Sequence, residues 1–223
     1  MTLLRIEAFV REQEQRCIVS GLEQLHEALQ AVMPITPHSI QVNFNGFGTP
    51  IPNSPSPNIV ILSLLPEMYV RNQHVLETKN RLKSYIEQGQ SLGASVLICN
   101  IFRHIDAGEL SETKPYLVER IRRLNLMAIG LSYESGVGIV DIDRAMAHLG
   151  GRNLQSDFLL SGDSAADVVG HALAWSLLSF GLDTVIDPTN QEKAKITLGD
   201  LRKVPEILRI RQARRSQQAI SHA

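Results

Sequence analysis

The 223-residue sequence has no long hydrophobic run. Its most apolar stretch, Ile59 to Pro66, falls far short of the ~20 residues a membrane-spanning helix needs, so no membrane span is expected. It has no excess of either charge. Lys plus Arg number 22 and Asp plus Glu 23, a net charge of −1, which disfavours nucleic acid and other polyanions as partners. Cysteine is scarce: Cys17 and Cys99 each sit in an apolar run and read as buried small hydrophobes, which fits a reduced, cytoplasmic protein. The opening MTLLRIEAFVREQEQR lacks the basic start, apolar run and small-residue cleavage site of a secretory signal. Phosphate-cradling GxGxxG and GxxxxGK[ST] patterns are missing, as are HExxH and CxxC. The seven histidines are scattered, so neither a metal nor a cofactor is expected.

What is present is ordinary globular composition, 43% hydrophobic and 20% charged, in a chain long enough to bury roughly 70% of its unfolded surface without staples. Apolar runs alternate with helical patterns. Arg16 to Ser20 reads as a first strand followed by a helix carrying Leu22, Leu25, Leu29, Val32 and Met33. The competing reading is one helix from about Glu12 to Met33, because Ile18 continues the same stripe backwards. Ser39 to Phe44 reads as a strand, followed by the Gly- and Pro-rich loop NGFGTPIPNSPSP. Asn58 to Leu65 (NIVILSLL) has no polar alternation, as a strand buried on both faces of a parallel sheet should. A helix over Val75–Leu92, a strand over Ala94–Phe102, a helix over Tyr116–Ser132, a strand over Val137–Ile142 and an apolar helix over His171–Phe180 follow. This alternation predicts a three-layer α/β/α fold with a mostly parallel sheet, and places any site at the carboxyl ends of the strands.

Residues 1–188 are expected to form one α/β domain and residues 189–223 a basic amphipathic extension. Between Asp200 and Arg215, six Lys or Arg face two acids, with Leu201, Val204, Ile207, Leu208 and Ile210 interleaved. Residues 200–220 read either as a peripheral helix with a solvated face or as a contact for a protein partner or a second copy.

Five segments, taken in order, carry a resemblance. VNFNGFGTP, SPNIVILSLLPEMY, LGASVLICNIF, LNLMAIGLSYESGVGIVDIDRAMAHLG and SDFLLSGDSAADVVGHALAWSLL resemble successive blocks of the SGNH/GDSL hydrolases, over about Arg16 to Leu182. The resemblance implies a flavodoxin-like sheet and the chemistry of an esterase, deacetylase or acyltransferase. In that family a nucleophilic Ser follows the first strand, a Gly after the second strand and an Asn after the third supply oxyanion donors, and Asp-x-x-His precedes the last helix. Those positions are where this sequence departs. Gly-Asp-Ser is missing, and Ser20 in Val19-Ser20-Gly21 is its substitute, readable equally as a turn or cap residue. Glu67 stands near the oxyanion Asn and has no N–H to donate. Asp157-Phe-Leu-Leu160 puts Leu160 at the base histidine.

Two functions follow as expectations. One is a hydrolase or acyltransferase acting on a small ester or acylated sugar or metabolite. Ser20 would be its nucleophile, His171 its base and Asp167 or Asp163 the orienter, with Gly46, Gly48, Asn45, Glu67 and Arg103 lining the substrate site. The other is a pseudoenzyme of the same fold that binds or assembles through its C-terminal helix.

Overall fold

The computed structural model describes residues 3–34, 39–70, 74–105, 113–150, 156–200, 204–206, 208–209 and 211–213. Five strands form one parallel sheet in the order β2-β1-β3-β4-β5: β1 Leu4–Phe9, β2 Ile40–Asn45, β3 Ile59–Ser63, β4 Ser95–Cys99 and β5 Gly138–Val140. The central strand alternates between two cores. Ile59 and Ile61 face one, Val60 and Leu62 the other, and all four are fully buried. This two-sided burial is what the unbroken apolar run of NIVILS encodes.

Helices cover both faces. On one lie α1 (Glu12–Gln30), α4 (Ile142–Leu149), α5 (Asp163–Ser176) and α6 (Pro188–Leu198); on the other lie α2 (Val75–Ser91) and α3 (Lys114–Ser135). Ile18, Leu22, Leu25 and Leu29 bring the buried stripe of α1 onto Leu4, Ile6 and Ala8 of β1. A widened π turn, Leu177–Gly181, continues α5. The expected domain boundary at 188 falls at the first residue of α6, whose Ala194 and Leu198 join the same core, as does Val204 beyond it. Leu201, Ile207 and Ile210 of the basic segment lie outside the described residues, as do Arg202, Lys203, Arg214 and Arg215.

One expected element is corrected. Arg16–Ser20 is not a strand: it is the second turn of α1, the competing single-helix reading, and the first strand is Leu4–Phe9. The physical reason is twofold. Cys17 and Ile18 belong to a stripe that repeats every three to four residues, and the true strand carries a charge, Glu7, that breaks its apolar run. Glu7 is nonetheless buried, its two carboxylate oxygens accepting N–H bonds from Asn43 at 2.7 Å and Asn45 at 2.6 Å on the neighbouring strand.

The crossing of α1 and α5 is set by two glycines. A Cβ on Gly21 would stand 2.8 Å from the Gly170 carbonyl oxygen, and one on Gly170 would stand 2.6 Å from the Gly21 nitrogen, so only bare backbones fit. The Ser20-Gly21 and Gly170-His171 pairs thus mark a helix contact, where sequence reasoning saw a turn and a helix start.

Candidate functional site at the carboxyl edge of the sheet

In sheets of this strand order a ligand meets the carboxyl ends of the strands where the order reverses, here between β1 and β3. The chain leaves β1 through Val10 and enters α1 at Arg11. Glu14, one turn in, accepts the Arg11 backbone N–H at 2.9 Å. Its other oxygen takes the Ser63 hydroxyl, from the end of β3, at 2.5 Å, and Ser63 Oγ in turn accepts the Leu65 N–H at 3.0 Å. Glu14 and Ser63 are both buried. Burial pushes the Glu14 carboxyl up from 4.5 to about 7, outweighing the lowering pull of the Ser63 and Arg11 bonds and the Arg11 charge. Above this pair the Arg11 guanidinium lies 3.9 Å from the centre of the Tyr69 ring, which projects from the 3-10 turn Leu65–Tyr69. Arg16 closes the far side, donating to the Leu160 carbonyl at 2.8 Å and holding Leu160 at a positive φ of 56°.

The expected oxyanion loop is committed elsewhere. The Gly48 N–H donates to the Tyr85 hydroxyl at 2.7 Å, and that hydroxyl donates to the Thr49 carbonyl at 3.1 Å. Phe9, Phe47 and Tyr85 pack as three mutually tilted rings beneath. Gly46 is exposed in the same turn. Asn45 donates to Glu7. Glu67 is buried at the root of α2, its carboxylate bonded to Thr78 and Arg81 and its carbonyl to the Arg120 guanidinium. Arg103 lies further along the edge, ion-paired to Asp143 at 2.6 Å. Asp141, rather than Asp143, caps α4.

Ser20, Asp167 and His171 do come together, but between α1 and α5, away from the strand ends. Ser20 sits in the middle of α1 at 6% exposure; its hydroxyl donates to Asp167 Oδ1 at 2.9 Å. Gln24 bridges onward, donating to the Asp167 carbonyl at 2.9 Å and meeting His171 Nδ1 at 3.3 Å through its own carbonyl. Arg211 Nη1 stands 3.5 Å from Asp167 Oδ1. The imidazole therefore faces Gln24, and Ser20 pairs with the carboxylate directly, an order that leaves no imidazole on the serine. Burial holds His171 down at about 4, with the Gly199 backbone and Asp200 opposing and Arg211 reinforcing the shift. Asp163 is exposed on the first turn of α5, about two turns before His171.

Sequence reasoning missed Arg11, Glu14, Ser63, Tyr69 and Gln24. The signal available for one of them, Glu14, was a pair of acids, Glu12 and Glu14, at a helix start, where acids complement the helix dipole. Among the described residues no cluster of three or more His, Cys, Asp or Glu could hold a metal ion, and no helix is long and apolar enough to cross a membrane.

Neither a protein-family model nor a curated protein matches the chain by sequence. Solved structures do. An acetyl xylan esterase superposes with a TM-score of 0.54 and 14% identity over 76% of this chain and 98% of its own. A protein assigned as an SGNH hydrolase from Slackia heliotrinireducens gives 0.57 and 12% over 79% of this chain and 100% of its own. LAE5, an α/β hydrolase enzyme from the metagenome of Lake Arreo, Spain, gives 0.53 and 12% over 79% and 96%. With its five parallel strands between two helical layers, the chain has the three-layer fold of the SGNH/GDSL hydrolases.

Proposed function

We propose that this SGNH-type chain binds or assembles and does not transfer acyl groups. The observation that carries the reading is Arg11. At the end of β1, the position from which the fold's serine acts, stands a guanidinium stacked on Tyr69. The donors expected of an oxyanion site, and Arg16, are already partnered: Gly48 to Tyr85, Asn45 to Glu7, Arg16 to Leu160. An oxyanion hole needs donors aimed at developing charge, and these are already given to neutral or structural acceptors. The free, buried thiols of Cys17 and Cys99 accord with a reducing, cytoplasmic setting; burial pushes Cys17 up to about 12 and Cys99 well above its ordinary value.

The hydrolase reading, on a small ester or acylated sugar, keeps one supporting observation. Ser63 Oγ lies 2.5 Å from a carboxylate whose pKa is about 7, a nucleophile and base in contact at the strand end. A fluorophosphonate probe tests both readings, applied to wild type, Ser20→Ala and Ser63→Ala from about pH 6 to 9 and read by intact mass. No adduct is expected in any of them. An adduct lost in Ser63→Ala, or in Ser20→Ala, would overturn the silent reading and name the nucleophile.

A partner contact through residues 200–220 is narrowed by what that segment does. Val204 is fully buried, and Arg211 pairs with Glu23, Glu27 and Asp167 of its own chain. Glu206 and Arg209 remain exposed for a partner.

A further inference from the structure

Three exposed apolar side chains share one helix face. On α3, Leu126, Ile129 and Tyr133 are 68%, 45% and 88% exposed, while Ile121, Leu124, Ala128 and Leu131 are buried on the opposite side. At 100° per residue, Arg122, Leu126, Ile129 and Tyr133 fall within about 60° of one another. They are spaced by four, three and four residues, the spacing of a seam between two paired helices. A groove of about 890 Å³ flanks this ridge on the α2 side, lined by Arg123, Met127 and Gly130, and one of about 940 Å³ flanks it on the β5 side, reaching Phe180. A ridge with grooves beside it is what helix-on-helix packing requires.

The spacing is a palindrome, so the stripe can pack on a second copy of itself in antiparallel register. Turned end for end about a two-fold axis between Met127 and Ala128, the stripe superposes on itself: Leu126 comes opposite Ile129 and Arg122 opposite Tyr133. A parallel copy would set Arg122 against Arg122. The charges fit the antiparallel arrangement. Arg123 is paired with Glu119 and Lys79 with Glu134, whereas Arg122 is exposed and has no ion pair among the described residues. Across the axis its guanidinium meets the Tyr133 ring, the most exposed large apolar side chain of the described residues. Beside the seam Gly130 has no atom within 4 Å of where a Cβ would stand, leaving room for a second backbone to approach.

We infer that this face is a homodimer interface in which α3 packs antiparallel on α3 of a second copy, in the register Leu126–Ile129 and Arg122–Tyr133. The inference is independent of the catalytic reading: labelling decides one, molecular mass the other. The full chain is examined by light scattering and sedimentation up to ~100 µM. Wild type is expected at twice 24.7 kDa. Leu126→Glu is expected to weaken the dimer at least about tenfold, with an unchanged far-ultraviolet circular dichroism spectrum because the position is exposed. Arg122→Glu is expected to weaken it as well, and Arg122→Glu combined with Tyr133→Arg to restore it by pairing the two introduced charges across the axis. A wild type that stays monomeric, including one that binds some other macromolecule, overturns the interface. A dimer indifferent to Leu126→Glu overturns its location, and failure of the double variant to recover overturns the register.

Discussion

Two regions of this molecule hold the residue types from which an acyl-transfer site is made, and they differ in position and in wiring. The cluster between α1 and α5 has a serine, an aspartate and a histidine, yet it lies inside a helix crossing and its serine bonds the aspartate. The carboxyl edge of the sheet lies where ligands reach this fold, yet its surface presents Arg11 and Tyr69 and its Ser63–Glu14 pair is buried. The difference teaches that an inventory of residue types carries little chemistry until the order of contacts is known. A triad requires base on nucleophile and acid on base; here the links run Ser20 to Asp167 and Gln24 to His171.

The sharpest way to break the comparison is at the crossing. Gly170→Val forces a side chain into the Gly21 backbone and is expected to lose on the order of 3 kcal/mol or more in urea unfolding, since the obstacle is main chain and cannot repack. The next effect separates a wired network from a catalytic one. Asp167→Ala strips Ser20 and Arg211 of a buried acceptor and should lose about 2–3 kcal/mol, against about 1 kcal/mol for Ser20→Ala. A drop in any acyl transfer far exceeding those stability losses would contradict the assignment of the cluster to packing.

The two regions also carry opposite pH dependences. Glu14 is held at about 7 against an ordinary 4.5, so its contribution to folding is complete below about pH 4.5 and is lost as pH rises through 7. His171 is held at about 4 against 6.5, so its contribution is complete above about pH 6.5 and is lost as pH falls through 4. Thermal melting of Glu14→Gln should therefore lose the decline between pH 4.5 and 7, while His171→Gln should lose the decline between 6.5 and 4. If both variants flatten the same limb, the burial that separates the two groups is misassigned. The smallest effect is expected at the surface of the edge: Tyr69→Ala removes the stack on Arg11 and should lower stability by less than ~1 kcal/mol.

The central strands were legible in the sequence because burial on both faces leaves an unmistakable apolar run, as in β3 and β4. The first strand was not, since LRIEAF contains Glu7, whose burial depends on two asparagines 36 and 38 residues away. Conversely RCIVS looked like a strand in isolation and became helical only when Ile18 was joined to Leu22, Leu25 and Leu29. Taking Arg16–Ser20 as the first strand puts the nucleophile position at Ser20, whereas the chain arrives at the sheet edge with Arg11. Leu160 has no group able to accept a proton. The hold of Arg16 on its carbonyl could not be read, because it joins positions 144 apart.

The Tyr85 hydroxyl, bridging Gly48 and Thr49 above three packed rings, has a kinetic consequence. It fastens the turn after β2 to α2, so this rim of the sheet edge moves with the scaffold and not as a flap. Little chain entropy is left in that turn to lose on capture, so association at this rim would be limited by encounter and orientation.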